Sequence, residues 1–226
     1  MWQALLDDLR GTPAEGRFTI VAVALDHAQA AAPWVEAGKP HYPCLIDADH
    51  HLADLYGFVN VPQAVWIDEE GRIVRPPESA GASDAFRLMD RQKFTLPQTA
   101  MEARVQTRER YTAAVKDWAL QGSASRFALT PEEVRARLRP ADAREAHAHA
   151  HFTLGLHLAE SGDADQAAVQ FAKASELHPD SWAIWRRGAP KDARAWPRVK
   201  PSGRGWMRWA TGRTTRRPGS DDGLKP

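Results

Sequence analysis

The run from Asn60 to Arg75 constrains the fold of this chain more than any other stretch. It opens Asn60-Val61-Pro62, continues as the apolar segment Ala64 to Ile67, turns over Asp68-Glu69-Glu70-Gly71 and resumes at Ile73-Val74. Two β-rich segments joined by a glycine-bearing turn predict a hairpin. Pro62 falls just ahead of the first strand, where its missing N–H removes no ladder bond. An isolated hairpin is marginal in water, so the neighbouring sequence has to supply more sheet or a covering helix.

The segments on either side supply both. Trp2, Leu5, Leu6 and Leu9 recur at helical spacing and predict a first helix over 2–9, ended by Gly11-Thr12-Pro13. Phe18 to Leu25 is nearly all apolar and rich in β-branched residues, as in a strand covered on both faces of a parallel sheet. A short helix around Pro33, Trp34 and Val35 follows as its crossover. Tyr42 to Ile46 predicts a short extended run, and 50–56 a short helix stopped by Gly57. Residues 83–90 predict a closing helix.

This order of elements resembles a thioredoxin-like α/β domain, specifically the TlpA/ResA-type thiol-disulfide redoxins. The resemblance rests on Asn60-Val61-Pro62 followed by Ile67-Asp68 and Gly71-Arg72-Ile73-Val74, and it covers about residues 1–90. It implies that Val61–Pro62 corresponds to the cis-proline loop, and that Val61, Pro62 and Gln63 hold the backbone of an extended substrate. The competing reading of Pro62 is an ordinary proline at the start of a strand. The resemblance also implies a reactive Cys-x-x-Cys at the head of the helix over 2–9, and a first core strand just before it. Neither is present in the 226 residues. The family's sheet order places that strand in the middle, between the 18–25 strand and the 64–68 strand. Unpaired backbone groups there, at roughly 1–3 kcal/mol each, would exceed a total stability of about 5–15 kcal/mol. The expectation is therefore that Met1 is not the biological start, and that the missing strand and a reactive cysteine, or a selenocysteine encoded by UGA, lie upstream.

Beyond residue 90 the pattern turns helical. Val105, Tyr111, Val115, Trp118 and Leu120 predict a long helix over 102–120. Thr130-Pro131-Glu132-Glu133 is a capping box with proline at the first helical position, and Val134 and Leu138 are the expected apolar face of that helix. Residues 148–181 resemble one tetratricopeptide repeat through Leu154-Gly155, Leu158, Gly162, Ala167, Phe171, Ala174 and Pro179. Leu154, Leu158, Phe171 and Leu177 are the expected seam, with Gly155 allowing close approach and Asp163 capping the second helix. One repeat cannot bury its own faces, so it is expected to stack on the 102–120 and 130–138 helices. The predicted organisation is α/β then α: a partial thioredoxin-like domain over 1–90, a helical region over 91–187 and a disordered basic tail over 188–226.

Composition bears mainly on partners. A net charge of +1 indicates no polyanion partner, and nucleic acid is not expected as a ligand. The stretch from Arg186 to Arg217 carries eleven Lys and Arg, with Trp196, Trp206 and Trp209 among them. One reading is an anion-binding segment, the other a solvated tail or a frame-shifted gene end. No apolar run of about 18 residues and no leader pattern is present, so no membrane span and a cytoplasmic location are expected. The expected partners are protein thiols or disulfides, with a protein partner for the repeat. No cofactor and no metal is expected.

Cys44 is the only cysteine, which excludes an intrachain disulfide and a two-cysteine cycle within these residues. As a candidate thiol it competes with the plainer reading of a small buried apolar residue. His147 and His151 share a helix face at i,i+4, a spacing used by zinc sites, but no third ligand is evident beside them and His149. A structural role for these histidines, and for His50-His51, is the expectation. No catalytic residue is assigned within the chain.

Overall fold

The computed structural model describes residues 1–189 except 84, 86–87, 91–92, 94 and 139–141. It is a mixed α/β chain that becomes all-helical after the hairpin. The tail beyond 189 lies outside the described residues, and the closing helix expected over 83–90 includes the undescribed 84, 86 and 87.

In order, the elements are α1 (Trp2–Asp8), β1 (Ala22–Ala24), α2 (Ala28–Gly38), β2 (Cys44–Ile46), α3 (His51–Tyr56), β3 (Gln63–Ile67), β4 (Ile73–Ser79), α4 (Gln98–Gln121), α5 (Pro131–Arg137), α6 (Ala143–Glu160), α7 (Ala164–Leu177) and α8 (Trp182–Gly188). They form two compact units. The first comprises Met1–Ala48 and Pro62–Leu138, and the second Asp49–Val61 with the described part of Arg139–Arg217. The expected cut at residue 90 is not where the contacts divide the chain. The segment 49–61 groups with the late helices, and α4 and α5 group with the strands.

The first unit contains two sheets of two strands each. β1 and β2 are parallel, with Ala22, Val23 and Ala24 opposite Cys44, Leu45 and Ile46. Ala22 N–H donates to Pro43 O at 2.9 Å, and Asp47 N–H donates to Ala24 O at 2.9 Å. In a parallel ladder this parity turns the N–H and C=O of Val23 toward the other edge. The apolar run 18–25 is therefore a strand over only three of its residues. Phe18 and Ile20 are used for packing instead, against a cluster that includes Leu5, Leu9, Trp66 and Tyr111.

β3 and β4 are antiparallel and joined by the expected turn, where Gly71 has φ 77°. Asp68 closes the turn by accepting from the Arg72 amide at 2.8 Å and the Glu70 amide at 3.1 Å. The ladder pairs Ala64 with Glu78 and Trp66 with Arg75, so Val65 faces both Pro76 and Pro77. Two prolines without donors are thereby placed in a bulge, where a strand tolerates them. The outer edge of β4 is covered: Leu129 N–H donates to Val74 O at 3.0 Å. Among the described residues β1 pairs only with β2, and β3 only with β4. The free sides of β1 and β3 thus carry no ladder among the described residues, and Val21 and Ile67 beside them are exposed.

The core of this unit is aromatic. Trp66 stacks on Trp118 with centroids 5.1 Å apart, and Tyr111 receives the edges of Trp2 and Trp66, each at 6.0 Å. The indole N–H of Trp66 donates to the Tyr111 hydroxyl at 2.9 Å. α5 starts as its sequence dictates, with Thr130 and Glu133 exchanging reciprocal capping bonds and Pro131 in the first turn. Val134 is buried, whereas Leu138 lies past the end of the helix and is exposed, against expectation.

The second unit is built on α6 and α7, with α8 packed on α7. Its seam is Ala148, Phe152, Gly155 and Leu156 from α6 against Ala167, Phe171 and Ala174 from α7, with Ile184 from α8. Leu158 and Leu177 flank it as expected, but Leu154 is exposed. Ala148, Phe152, Gly155 and Leu156 stand at i, i+4, i+7 and i+8, which defines one stripe, and Leu154 is off it. Gly155 allows the close approach: a Cβ there would sit 2.7 Å from the ring of Phe171. Asp163 caps α7 through the Gln166 amide, and Ser181 caps α8 through that of Ile184. The stacking of the repeat on α4 and α5 is not part of this unit, since both belong to the first.

Candidate functional site

The approach to β3 carries the residues that the sequence singled out. Gln63 pairs with Ser79 at the start of the hairpin, and Pro62 O accepts the Ala80 amide at 3.2 Å. Pro62 therefore lies at the last rung of the ladder, with its carbonyl bound and its nitrogen contributing no donor. Val61, one residue earlier, is 43% exposed. An exposed apolar residue followed by proline at a strand start is a surface that an extended peptide can meet with backbone and side chain.

Cys44 is at the first position of β2, opposite Ala22, and half-buried. Its Sγ donates to Tyr42 O at 3.7 Å. The Tyr42 hydroxyl is held above its usual pKa, first by burial and then by the neighbouring Cys44. The 226 residues hold no second cysteine to complete a redox pair with it.

The histidines of α6 separate into different roles. His147 is exposed, and His151 Nδ1 lies 2.7 Å from Gln170 Oε1 of α7. His149 Nε2 lies 3.2 Å from Asp54 Oδ1, and its ring is 6.0 Å from that of His178. Among the described residues no group of three or more His, Cys, Asp and Glu is placed to hold a metal. His50 is buried with its ring 4.9 Å from Phe152, a packing role.

The first unit also holds a buried polar network that the sequence reading did not single out. Arg75, 3% exposed, forks onto both carboxylate oxygens of Glu78 at 2.8 Å and donates to Phe127 O at 3.1 Å. Its guanidinium also sits 5.1 Å from the Trp66 ring centroid. Burial and the nearby Glu78 carboxylate push the Tyr111 hydroxyl well above its ordinary pKa. An arginine between apolar strand residues, with a glutamate just past two prolines, is the signal in the sequence for a charge that must be paired internally. These donors and acceptors face protein groups, so the network holds the hairpin against the 125–129 loop and α4. It offers no reactive group to a substrate.

No family model, curated protein or solved structure matches the chain. No helix among the described residues is long and apolar enough to cross a membrane.

Proposed function

We propose that this chain is part of a thiol-disulfide oxidoreductase of the thioredoxin-like, TlpA/ResA-type lineage, with its reactive residues encoded upstream of Met1. The observation that carries the reading is the pair of incomplete sheets. A parallel pair and an antiparallel hairpin lie in one compact unit, and among the described residues neither β1 nor β3 has a second strand beside it. A redoxin sheet without its central strand would leave these two pieces in this order, with a proline leading into the hairpin. The reaction expected of such a protein begins when a reactive thiolate, or selenolate, attacks a substrate disulfide and expels one substrate thiolate. The mixed disulfide formed is then cleaved by a second thiol, which releases the reduced substrate. Val61, Pro62 and Gln63 would hold the substrate backbone, and α1 would follow the reactive residues.

Disulfide reduction tests the proposal. The 226-residue chain should not accelerate the reduction of insulin disulfides by dithiothreitol. The same chain extended by its upstream in-frame codons should. Turnover by the unextended chain would contradict the reading, and so would an upstream frame encoding no strand and no Cys or UGA within about twenty codons.

A non-catalytic binding module is the second reading, favoured by the single cysteine and by its bond to Tyr42 O within its own loop. If upstream codons encode the central strand without a cysteine or UGA, this reading takes over. Pull-downs with and without residues 148–181 then show whether the repeat carries the contact.

A further inference from the structure

The segment between β2 and β3 is held by the late helices, and it is held at three separate points. His50 begins α3 with φ 57° and ψ 27°, left-handed values that a side chain rarely adopts, yet it is buried with its ring edge-on to Phe152 of α6. Such a conformation is strained and persists only where the surroundings fix it. In the middle of α3, Asp54 Oδ1 meets His149 Nε2 of α6 at 3.2 Å. Past the helix, the Ala183 amide of α8 donates to Val59 O at 3.2 Å. Gly57, with φ 68°, provides the sharp exit between the second and third points. The chain leaves the first unit after Ala48, is gripped from His50 to Val59, and returns at Pro62.

We infer that the helical repeat works as a latch on the approach to β3: residues 59–61 take their order from α6 and α8, not from the hairpin they lead into. Three anchors over ten residues, one of them on a strained backbone, are more than a connecting loop needs. A short link from the last anchor at Val59 to Pro62 passes that order on through the chain. Two consequences follow. Loosening α6 loosens 59–61 while the β3–β4 ladder stays closed. By linkage, anything that binds and tightens the helices also tightens this approach. The latch requires no redox chemistry, and it stands or falls separately from the proposed activity.

Amide hydrogen exchange on the full chain tests it. In the unmodified protein under rising sub-denaturing denaturant, the amides of Val59, Asn60 and Val61 should open together with those of α6 and α7. If they open with the β3–β4 amides instead, the inference is overturned. Asp54→Ala and His149→Ala each remove the same anchor, at helical positions where alanine fits. Each should raise exchange over 51–61 about three-fold, as expected for one partly exposed polar contact. The double variant should add little more, because both changes delete the same contact. A rise that stops at Gly57, or one shared equally by β1 and β2, would also overturn the latch.

Discussion

The second unit closes on itself, and the first leaves backbone open. In the helical unit the seam between α6 and α7 is tight, with Gly155 against Phe171 and Ala148, Phe152 and Ala174 almost wholly buried. Every backbone group inside a helix finds its partner within one turn, so closure there requires only side chains. The strands depend on distant partners. Among the described residues β1 has one neighbour and β3 has one neighbour. The same chain thus contains a helical unit that its own sequence completes and a sheet region that its described residues do not. That asymmetry is what the proposed redoxin lineage explains, and it can be attacked from either side.

The heaviest blow falls on the closed side. Phe152 is 1% exposed and touches both Phe171, with centroids 5.7 Å apart, and His50. Phe152→Ala should destabilise the second unit by about 3–5 kcal/mol, the usual range for a buried phenylalanine cut to alanine. Urea unfolding followed by circular dichroism at helical wavelengths measures the loss. If the units differ as argued, exchange at the amides of β3 and β4 should change far less than at those of α6 and α7. An equal loss in both would make them one cooperative body and erase the contrast.

A smaller effect comes from inside the first unit. Tyr111→Phe leaves the buried Trp66 indole without its acceptor and should lower stability by about 1–3 kcal/mol. It should also change the alkaline limb. The folded pKa of Tyr111 is raised by burial and by Glu78, while the unfolded value is near 10. Above about pH 10 the unfolded chain therefore releases a proton that the folded chain keeps, and stability falls as pH rises. Below that pH the contribution is fully present. Unfolding curves from pH 8 to 11 should show a flatter decline for the phenylalanine variant. Parallel slopes would mean that Tyr111 is less enclosed than its 1% exposure indicates.

What is legible in the sequence follows the same divide. Helices α1, α4, α6 and α7, the capping box at Thr130, and the close approach at Gly155 are readable because each depends on residues within a few turns. The hairpin is readable because Gly71 and Asp68 fix its turn locally. The repeat pattern puts Leu154 in the seam, and the structure does not. The stripe Ala148, Phe152, Gly155 and Leu156 is the better guide, because the helical period, not the family pattern, decides which side chains face a neighbour. The strand expected over 18–25 is too long because apolar, β-branched residues show that a segment is buried, not that it has a ladder partner. The anchoring of 49–61 is out of reach of the sequence. It depends on His50, Asp54 and Val59 meeting Phe152, His149 and Ala183 across about a hundred residues of chain.

The finest test examines a single amide. Parity in the β1–β2 ladder gives Ala22 and Ala24 bonds to β2 and turns Val23 the other way. If that side is open, the Val23 N–H has only water to bond, and its exchange should be limited by little more than local fluctuation. Ala24, one residue on, donates into the ladder and should exchange more slowly, by an amount that reports the opening of the sheet. Residue-resolved exchange by nuclear magnetic resonance separates the two. The experiment becomes sharper on the chain extended upstream. A strand laid against β1 should bring Val23 to the protection of Ala24 while leaving the amides of α6 and α7 as they were. Equal protection at both residues in the unextended chain would mean that this edge is already covered, and the central argument for a missing strand would be lost.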